Sequence, residues 1–285
     1  MMAPMDAETF RATSRERWES AAEGWARHRE AMQRDAMPVS QWLLDAIDPQ
    51  PGQTILELAA GPGDTGLLAA QRVAPDGRAI ITDGADAMVE VARARAQELG
   101  VENVELRAME AEWIDLPAAS VDGVVCRWAY MLLADPEAAL RETRRVLRPG
   151  GRVALAAWDA PERNPWLAVG HGVMLEHGVV PEFDRDQPGP FAFSRPGRIV
   201  ELLEDSGFTD VVVDAVDFTW HAQSLDEWWE HFTETSSVTR IGLAKLSPAE
   251  HYRVRDAFDA AYASFVADDG SLSLPARTLV AAASA

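Results

Sequence analysis

Residues 54–66 read Thr54-Ile55-Leu56-Glu57-Leu58-Ala59-Ala60-Gly61-Pro62-Gly63-Asp64-Thr65-Gly66, an apolar run followed by an acid and a cluster of glycines. The pattern predicts a strand that ends near Glu57, a sharp turn, and a helix that begins at Asp64 or Thr65. Glycines carry no Cβ, so the backbone of the turn can lie directly against a ligand, close to the positive end of the helix dipole. Such a unit typically forms a nucleoside pocket at the carboxyl edge of a parallel sheet.

Two acidic residues narrow the choice of ligand. Glu57 precedes the glycines, where its charge would repel a pyrophosphate and would suit a ligand with a cationic centre. Asp83 ends the next predicted strand, residues 78–83, and a carboxylate there can accept hydrogen bonds from both hydroxyls of a ribose. Alternatively, Asp83 caps the helix predicted over residues 85–99, although Asp86 could also serve as that cap.

Three motifs resemble those of the class I S-adenosylmethionine-dependent methyltransferases. Residues 57–63 resemble motif I of that family, E-x-x-x-G-x-G, and residues 83–88 resemble its D-x-x-x-x-M. Residues 147–153, Leu-Arg-Pro-Gly-Gly-Arg-Val, are similar to the turn that precedes the fifth strand of the family. The resemblance covers roughly residues 50–160 and is nearest to the UbiE-like branch of quinone biosynthesis, whose substrates are small molecules.

The resemblance implies an α/β fold, in which a Rossmann-like sheet of seven mostly parallel strands carries helices on both faces and a helical lid. The implied strand order is 3-2-1-4-5-7-6, with strand seven antiparallel. It also implies an N-terminal helical flap, a cofactor-binding core, and two insertions that form a lid over the substrate. The expected division is residues 1–50 for the flap, 51–158, 195–222 and 270–285 for the core, and 159–194 and 223–269 for the insertions.

The flap is predicted to contain two helices. Residues 6–35 are strongly charged, with aromatic residues at helical spacing, and Pro38 lies early in a second helix over residues 39–47. The first helix could simply pack on the main domain as an amphipathic helix. The resemblance instead favours a flap that closes over the cofactor and places Trp25 and Arg29 near the amino-acid end of the cofactor.

The resemblance further implies a set of residues that bind S-adenosyl-L-methionine. Glu110 stands where the family usually has an aspartate that accepts a hydrogen bond from the adenine amino group, and Ala111 would offer a backbone N–H to the ring. Glu110 and Glu112 could instead be solvated loop charges, and Met88 could be a core residue. The complete expected set is Trp25, Glu57, Ala59, Gly61, Gly63, Asp83, Gly84, Met88, Glu110, Ala111 and Arg127.

Aromatic residues in both insertions predict an apolar, partly aromatic pocket for the methyl acceptor, or else a subsidiary core. A carbon or oxygen acceptor with a high pKa needs a base, and a phenol or enol needs only mild help. His171 and His221 are the candidate bases, because an imidazole can take a proton near neutral pH. Tyr130 and Asp159 are further candidates.

Composition excludes several classes of function. The 285 residues carry a formal net charge of −20, which argues against a nucleic-acid substrate. One cysteine excludes a disulfide framework, a multi-cysteine metal site and arsenite methylation through a set of cysteines, and no metal is expected. The sequence shows no signal peptide and no membrane-spanning run, so a cytoplasmic protein is expected, and nothing excludes a homodimer.

These observations predict a methyltransferase that moves a methyl group from S-adenosylmethionine to an oxygen, carbon or nitrogen atom of a small, mainly apolar metabolite. The sequence contains no D-P-P-Y, N-P-P-Y or catalytic Pro-Cys pair, which are typical of nucleobase methylation. One alternative is a catalytically silent module of the same fold that only binds the cofactor. A second alternative is an NAD(P)-dependent oxidoreductase, against which the charge of Glu57 argues.

Overall fold

The computed structural model describes residues 6–183 and 187–285. The strands of this part of the chain are β1 (Thr54–Glu57), β2 (Arg78–Asp83), β3 (Val104–Ala108), β4 (Val121–Arg127), β5 (Leu147–Trp158), β6 (Thr209–Ala222) and β7 (Leu272–Ser284). They form one sheet in the order β3-β2-β1-β4-β5-β7-β6. β7 runs antiparallel to both β5 and β6, and the other neighbouring strands are parallel. The predicted fold class and strand order are therefore confirmed.

The central strands form because their sequences are almost continuously apolar. Ile55, Leu56, Ile80, Val124 and Val125 are all at most 1% exposed, as expected for parallel strands that are covered on both faces. The covering helices include α2 (Asp64–Val73), α3 (Asp86–Leu99), α4 (Pro136–Val146) and α6 (Arg198–Asp205). Parallel strands place all their carboxyl ends at one edge, so the loops after β1, β2, β3 and β4 meet there.

The N-terminal segment is one long helix, α1 (Ala7–Ile47), and Pro38 lies in its interior. The prediction of two separate helices was wrong. An interior proline costs about 3 kcal/mol. The helix continues because Val39, Leu43 and Leu44 beyond the proline are completely buried in the main core, and burying each such side chain contributes about 1.5–3 kcal/mol.

The segments predicted to be insertions contain further helices, namely α5 (Pro165–Glu176) in residues 159–194, and α7 (Leu225–Glu234), α8 (Ser237–Leu243) and α9 (Pro248–Tyr262) in residues 223–269. The Tyr262 hydroxyl joins these two segments, since it accepts from the Gly170 N–H at 2.9 Å and donates to the Trp166 carbonyl at 2.7 Å. Trp228 and Phe232 are buried within this contact region. These aromatic side chains belong to the same continuous hydrophobic core as the central strands, so they pack in a core, as the alternative to an acceptor pocket proposed, but that core is not a separate one.

Candidate functional site

An open cleft lies at the carboxyl edge of the sheet. Its floor consists of residues in and after the ends of β1 to β4, here represented by Glu57, Gly61, Asp83, Glu110 and Trp128. Its roof is one side of the first half of α1 and consists of Phe10, Arg11, Ser14, Arg15, Trp18 and Trp25. A single helix therefore covers a pocket that is formed by four successive loops of the sheet.

The turn after β1 leaves space for a ligand. Gly61 has a φ of +54°, and a Cβ added there would meet nothing within 4 Å, so this part of the floor is open. Gly66 is needed for a different reason, because a Cβ there would collide with the Glu57 carboxylate and with Ile81. Gly63, at φ +81°, precedes α2 and packs against Ala92 of α3, and it does not line the cleft.

Glu57 is a buried carboxylate at the end of β1. Its Oε2 accepts a hydrogen bond from the Gly66 N–H at 2.7 Å. Burial raises the pKa of Glu57 to about 8, although the nearby Arg127 guanidinium and the Gly66 N–H oppose this rise. A positively charged ligand in the cleft would favour the ionised form of Glu57, because a nearby opposite charge stabilises a carboxylate.

Asp83, at the end of β2, holds the glycine turn in place. Its Oδ2 accepts from the Gly61 N–H and its Oδ1 from the Ala85 N–H, both at 2.9 Å. Burial raises the pKa of Asp83 to about 6, against these two hydrogen bonds. Each carboxylate oxygen has a second lone pair, so Asp83 can still accept hydrogen bonds from two hydroxyls.

Asp83 does not cap α3, the alternative role considered for it. The N-cap residue of α3 is Ala85, whose side chain makes no capping bond. The Glu19 carboxylate of α1 caps this helix instead, since it accepts from the N–H groups of Asp86 at 2.7 Å and Ala87 at 2.9 Å. A negative charge at a helix N-terminus is favourable, so this contact attaches α1 to the rim of the cleft.

Two carboxylates after β3 pair with arginines of the roof. Glu110 forms an ion pair with Arg15, and Glu112 forms one with Arg11. Glu112 is buried and also accepts the Asp135 N–H. Neither residue is therefore a solvated loop charge, which was the alternative for both.

The end of β4 supplies a cation and an aromatic ring. The Arg127 guanidinium donates to Ser40 Oγ at 2.9 Å and to Asp64 Oδ2 at 3.2 Å, and it is almost fully buried. Trp128 has a φ of +62° and its indole N–H donates to Thr278 Oγ1 at 2.9 Å. Its ring stacks on Trp158 with centroids 4.2 Å apart, so the floor continues into a group of packed aromatic rings.

The structure brings almost all of the expected cofactor residues to the wall of the cleft. Those that line it are Trp25, Glu57, Ala59, Gly61, Asp83, Gly84, Met88, Glu110, Ala111 and Arg127. Gly63 lies behind the wall, and Arg29 points away from the cleft to pair with Glu98 of α3. The location of these side chains is thus established, while their role in binding stays a prediction.

Neither candidate base lies on the cleft wall. His171 stacks on Phe183 with ring centroids 3.5 Å apart, and burial lowers its pKa to about 4. His221 lies at the end of β6, where its main-chain N–H donates to the Asp35 carboxylate at 2.8 Å. A role as base stays a prediction for both, but this placement does not favour it.

The two further candidates for a base are also engaged elsewhere. The Tyr130 hydroxyl is buried against Thr143 Oγ1 at 2.6 Å, and burial raises its pKa well above the usual range. Asp159 pairs with Arg277 at 3.1 Å. Within the described residues, the cleft wall contains no histidine, lysine, cysteine or tyrosine.

Sequence reasoning missed both charged residues of the roof, Arg11 and Arg15, and the role of Glu112. Arg11 and Arg15 share one side of α1 with Trp18 and Trp25, because residues three, four or seven positions apart lie on the same helical face. The spacing is visible in the sequence, but their partners lie about a hundred residues further along the chain.

Two negative findings concern only the described part of the chain. No group of three or more histidine, cysteine, aspartate and glutamate side chains is arranged to hold a metal ion there. None of its helices combines the length and the apolar character that a bilayer crossing would require.

Comparison with known proteins gives a consistent result. Residues 55–151 match a family described as a methyltransferase domain. The chain is 33% identical to the aklanonic acid methyltransferase DauC of Streptomyces sp. (strain C5), over 60% of this chain and 81% of DauC. It is 31% identical to the ubiquinone/menaquinone biosynthesis C-methyltransferase UbiE of Salmonella arizonae, over 60% of this chain and 72% of UbiE.

Some curated relatives are covered only in part, and the fold is shared with a solved structure. Two further curated relatives are matched over only 34% and 65% of their own lengths. The crystal structure of YcgJ from Bacillus subtilis superposes with a TM-score of 0.57 at 22% identity, over 87% of this chain and 98% of YcgJ, and thus shares the fold. The chain belongs to the class I S-adenosylmethionine-dependent methyltransferases, in their UbiE-like branch.

Proposed function

We propose that this protein transfers a methyl group from S-adenosyl-L-methionine to an oxygen, carbon or nitrogen atom of a small, mainly apolar metabolite. The observation that carries the proposal is the floor of the cleft, where Glu57, Gly61, Asp83 and Glu110 line one continuous wall. A sulfonium, a ribose and an adenine each find a group of suitable chemistry along that wall.

The floor residues fit the cofactor part by part. The lone pairs of Asp83 that face no backbone N–H are available to the ribose hydroxyls. The open space beside Gly61 allows the nucleoside to approach the backbone. Glu110 would accept the adenine amino group, with the Ala111 N–H beside it. A cation bound nearby would favour the ionised form of Glu57.

The bound cofactor would supply an electrophilic methyl group on a positively charged sulfur. The chain's own task is then to exclude water with the roof and to align the acceptor for in-line displacement. Orientation alone can lower such a barrier by roughly 7–11 kcal/mol. Because the described cleft wall carries no histidine, lysine, cysteine or tyrosine, we assign no base, and an acceptor that loses its proton easily, such as a phenol or an enol, fits best.

The character of the acceptor follows from the apolar end of the cleft. Trp128, Ala129, Leu132 and Leu133 line it there, and the ring of Trp128 packs against Trp158. Apolar and aromatic walls favour a flat, ring-containing acceptor. The names of the relatives, an aklanonic acid methyltransferase and a quinone-biosynthesis C-methyltransferase, agree with this class.

The test combines binding and turnover. Calorimetry should show that S-adenosylhomocysteine binds the wild-type protein, and Asp83→Ala should weaken binding at least about a hundredfold, because a buried pair of ribose contacts to a charged group is lost. Asp76→Ala, at an exposed position before β2, is the matched control and should bind normally. Methyl-labelled S-adenosylmethionine should label members of a panel of phenols and enolic ketones.

Each alternative has its own signature in this test. Binding of S-adenosylhomocysteine without label transfer to any acceptor would indicate a silent cofactor-binding module. Selective retention of NAD(P) would indicate an oxidoreductase. Either result overturns the proposal.

We also propose that the protein is cytoplasmic and does not act on nucleic acid. Its single cysteine, Cys126, is free and buried, which suits a reducing compartment. The net charge of −20 would repel phosphate backbones. A homodimer stays a prediction, which sedimentation of the purified protein would test.

A further inference from the structure

We propose that Glu110 binds two partners at once, with Arg15 of the roof on one carboxylate oxygen and the adenine amino group on the other. Arg15 would then orient the residue that selects the base. Arg15 is a positioning residue in this arrangement, since it acts on the cofactor only through Glu110. The inference rests on the proposed function, because it concerns the same cofactor site.

The first observation is the division of the Glu110 carboxylate. Both Nε and Nη2 of Arg15 donate to the same oxygen, Oε1, with Nε at 3.0 Å. Within the described residues, both hydrogen bonds that the Glu110 side chain accepts go to Oε1, and none goes to Oε2. An arginine fork usually spans both oxygens of a carboxylate, so this one-sided contact leaves a full acceptor available.

The second observation is the direction of the free oxygen. A Cβ built on Gly84 would lie 3.0 Å from Oε2 and 3.4 Å from Oε1, so the whole carboxylate lies beside Gly84 and Oε2 is its nearer oxygen. Gly84 lines the cleft and directly follows Asp83, the residue proposed to hold the ribose. The unused oxygen is therefore placed beside the nucleoside part of the cleft, where an adenine amino group would need an acceptor.

The third observation is that the roof is fixed on both sides of Arg15. One turn earlier, Arg11 pairs with the buried Glu112. One turn later, Glu19 accepts two N–H groups at the start of α3. Arg15 is thus held over Glu110 by its neighbours and does not depend on its own ion pair for its position.

The small contribution expected from the Arg15–Glu110 ion pair to the free energy of folding argues against a role in stability. Half of the Arg15 side chain and 29% of the Glu110 side chain are exposed. Ion pairs in such surroundings contribute little to folding, because water screens the attraction and the side chains lose rotamer freedom. Fixing the orientation of a carboxylate needs little energy, so the pair is suited to positioning.

The length of the side chain agrees with this double contact. Glutamate is one methylene longer than aspartate, and this length lets the carboxylate lie between Gly84 of the cleft wall and Arg15 of α1. We therefore expect Glu110→Asp to keep an acceptor for the base and to lose Arg15.

The test compares two ligands that differ only at the base. Calorimetry measures S-adenosylhomocysteine and S-inosylhomocysteine, in which an oxo group replaces the amino group, on the full-length wild-type protein and on Arg15→Gln. Arg15→Gln should weaken the adenosyl ligand about fivefold, as expected for one misplaced hydrogen bond, and should weaken the inosyl ligand much less. Selectivity for adenine should therefore fall.

Two further variants decide between positioning and simple cover. In Glu110→Asp, which no longer reaches Arg15, adding Arg15→Gln should change selectivity no further. Arg17→Gln, at an exposed position on the same helix, should behave as wild type. Equal weakening of both ligands by Arg15→Gln would show that Arg15 only covers the cleft, and would overturn the inference while leaving the proposed function intact. Failure of the wild-type protein to bind S-adenosylhomocysteine would overturn both.

Discussion

The two halves of α1 use different physical means to reach the same sheet. The second half, residues 32–47, buries Met32, Val39, Leu43 and Leu44 in the main core. The first half, residues 7–25, reaches the cleft mainly through charged contacts and partly exposed aromatic rings. A continuous helix therefore joins a strongly held segment to a weakly held one. The second half buries most of the large apolar side chains by which α1 packs on the core, and the first half buries only small residues completely.

The energies of the two halves support this division. Each fully buried leucine of the second half contributes about 1.5–3 kcal/mol. A partly exposed ion pair of the first half contributes about 0–1 kcal/mol. We expect local opening to begin at the first half, because regions with few buried apolar contacts have the lowest opening free energies.

The largest effect should come from the buried ion pair beneath the second half. Arg127→Met removes the donor to Ser40 and leaves the Asp64 carboxylate without a counter-charge, although its Oδ1 already has no hydrogen-bond partner among the described residues. The free energy of unfolding should fall by about 3–5 kcal/mol, the usual loss when one partner of a buried pair is removed. Urea denaturation followed by circular dichroism measures it.

Controls separate charge from packing in this experiment. Arg78→Met breaks an exposed pair with Glu105 at 3.7 Å and should cost less than about 0.5 kcal/mol. Adding Asp64→Asn to Arg127→Met should recover part of the loss, since it removes the uncompensated charge. Equal losses in Arg127→Met and Arg78→Met would contradict the account.

A direct comparison of the two halves uses one apolar residue from each. Leu43→Ala, at a fully buried position, should lower the free energy of unfolding by about 2–5 kcal/mol. Phe10→Ala, on the roof, should cost less than about 1 kcal/mol of stability, because its ring is partly exposed. The division of α1 would be refuted by a greater loss of stability in Phe10→Ala than in Leu43→Ala.

The effect of the buried Glu57 carboxylate can be measured through the pH dependence of the free energy of unfolding. Because the folded-state pKa of Glu57 is raised to about 8, the folded protein keeps a proton that the unfolded chain releases near pH 4.5. Stability should therefore fall as pH rises through this window. Asp83, with a pKa near 6, adds to the fall only below that pH. Burial lowers the pKa values of His171 and His231, so these two groups make stability rise with pH, and they do so only below about pH 6.5.

Between pH 6.5 and 8, Glu57 should thus dominate. The wild-type protein should lose about 1.5 kcal/mol of unfolding free energy over this range, and Glu57→Gln should lose almost none. Glu102→Gln, at an exposed position before β3, should retain the wild-type slope. A wild-type stability that rises between pH 6.5 and 8 would show that the sign is wrong.

How far the sequence predicts this molecule also differs between floor and roof. The strand order was implied by the family resemblance, and the positions of Glu57, Gly61 and Asp83 follow from short motifs that can be recognised in the sequence alone. The role of Arg15 in the roof depends on its ion pair with Glu110, and only the three-dimensional fold brings these two residues together. Local rules also failed at Pro38, where burial of the helix beyond it outweighed the cost of an interior proline.

The candidate bases also show that a residue's chemistry can be known from the sequence while its position cannot. An imidazole suits proton transfer near neutral pH, and this property is evident from the sequence. Access to the cleft is a property of the fold, and in the structure the His171 ring stacks on Phe183 while Nδ1 of His221 lies 3.3 Å from Asp35 Oδ1. Residue type alone therefore could not identify a base.

The smallest effect concerns the contact of Glu19 with α3. Glu19→Gln keeps an acceptor but removes the negative charge that faces the N–H groups of Asp86 and Ala87, so the free energy lost should be only about 0.3–1 kcal/mol. Hydrogen exchange should accelerate at the start of α3 and across the first half of α1, while residues 32–47 stay protected. Glu23→Gln, whose pair with Arg27 lies within α1, should leave exchange at α3 unchanged. Equal acceleration in both halves of α1 would mean that the helix opens as one unit, and that the roof cannot move independently of the core.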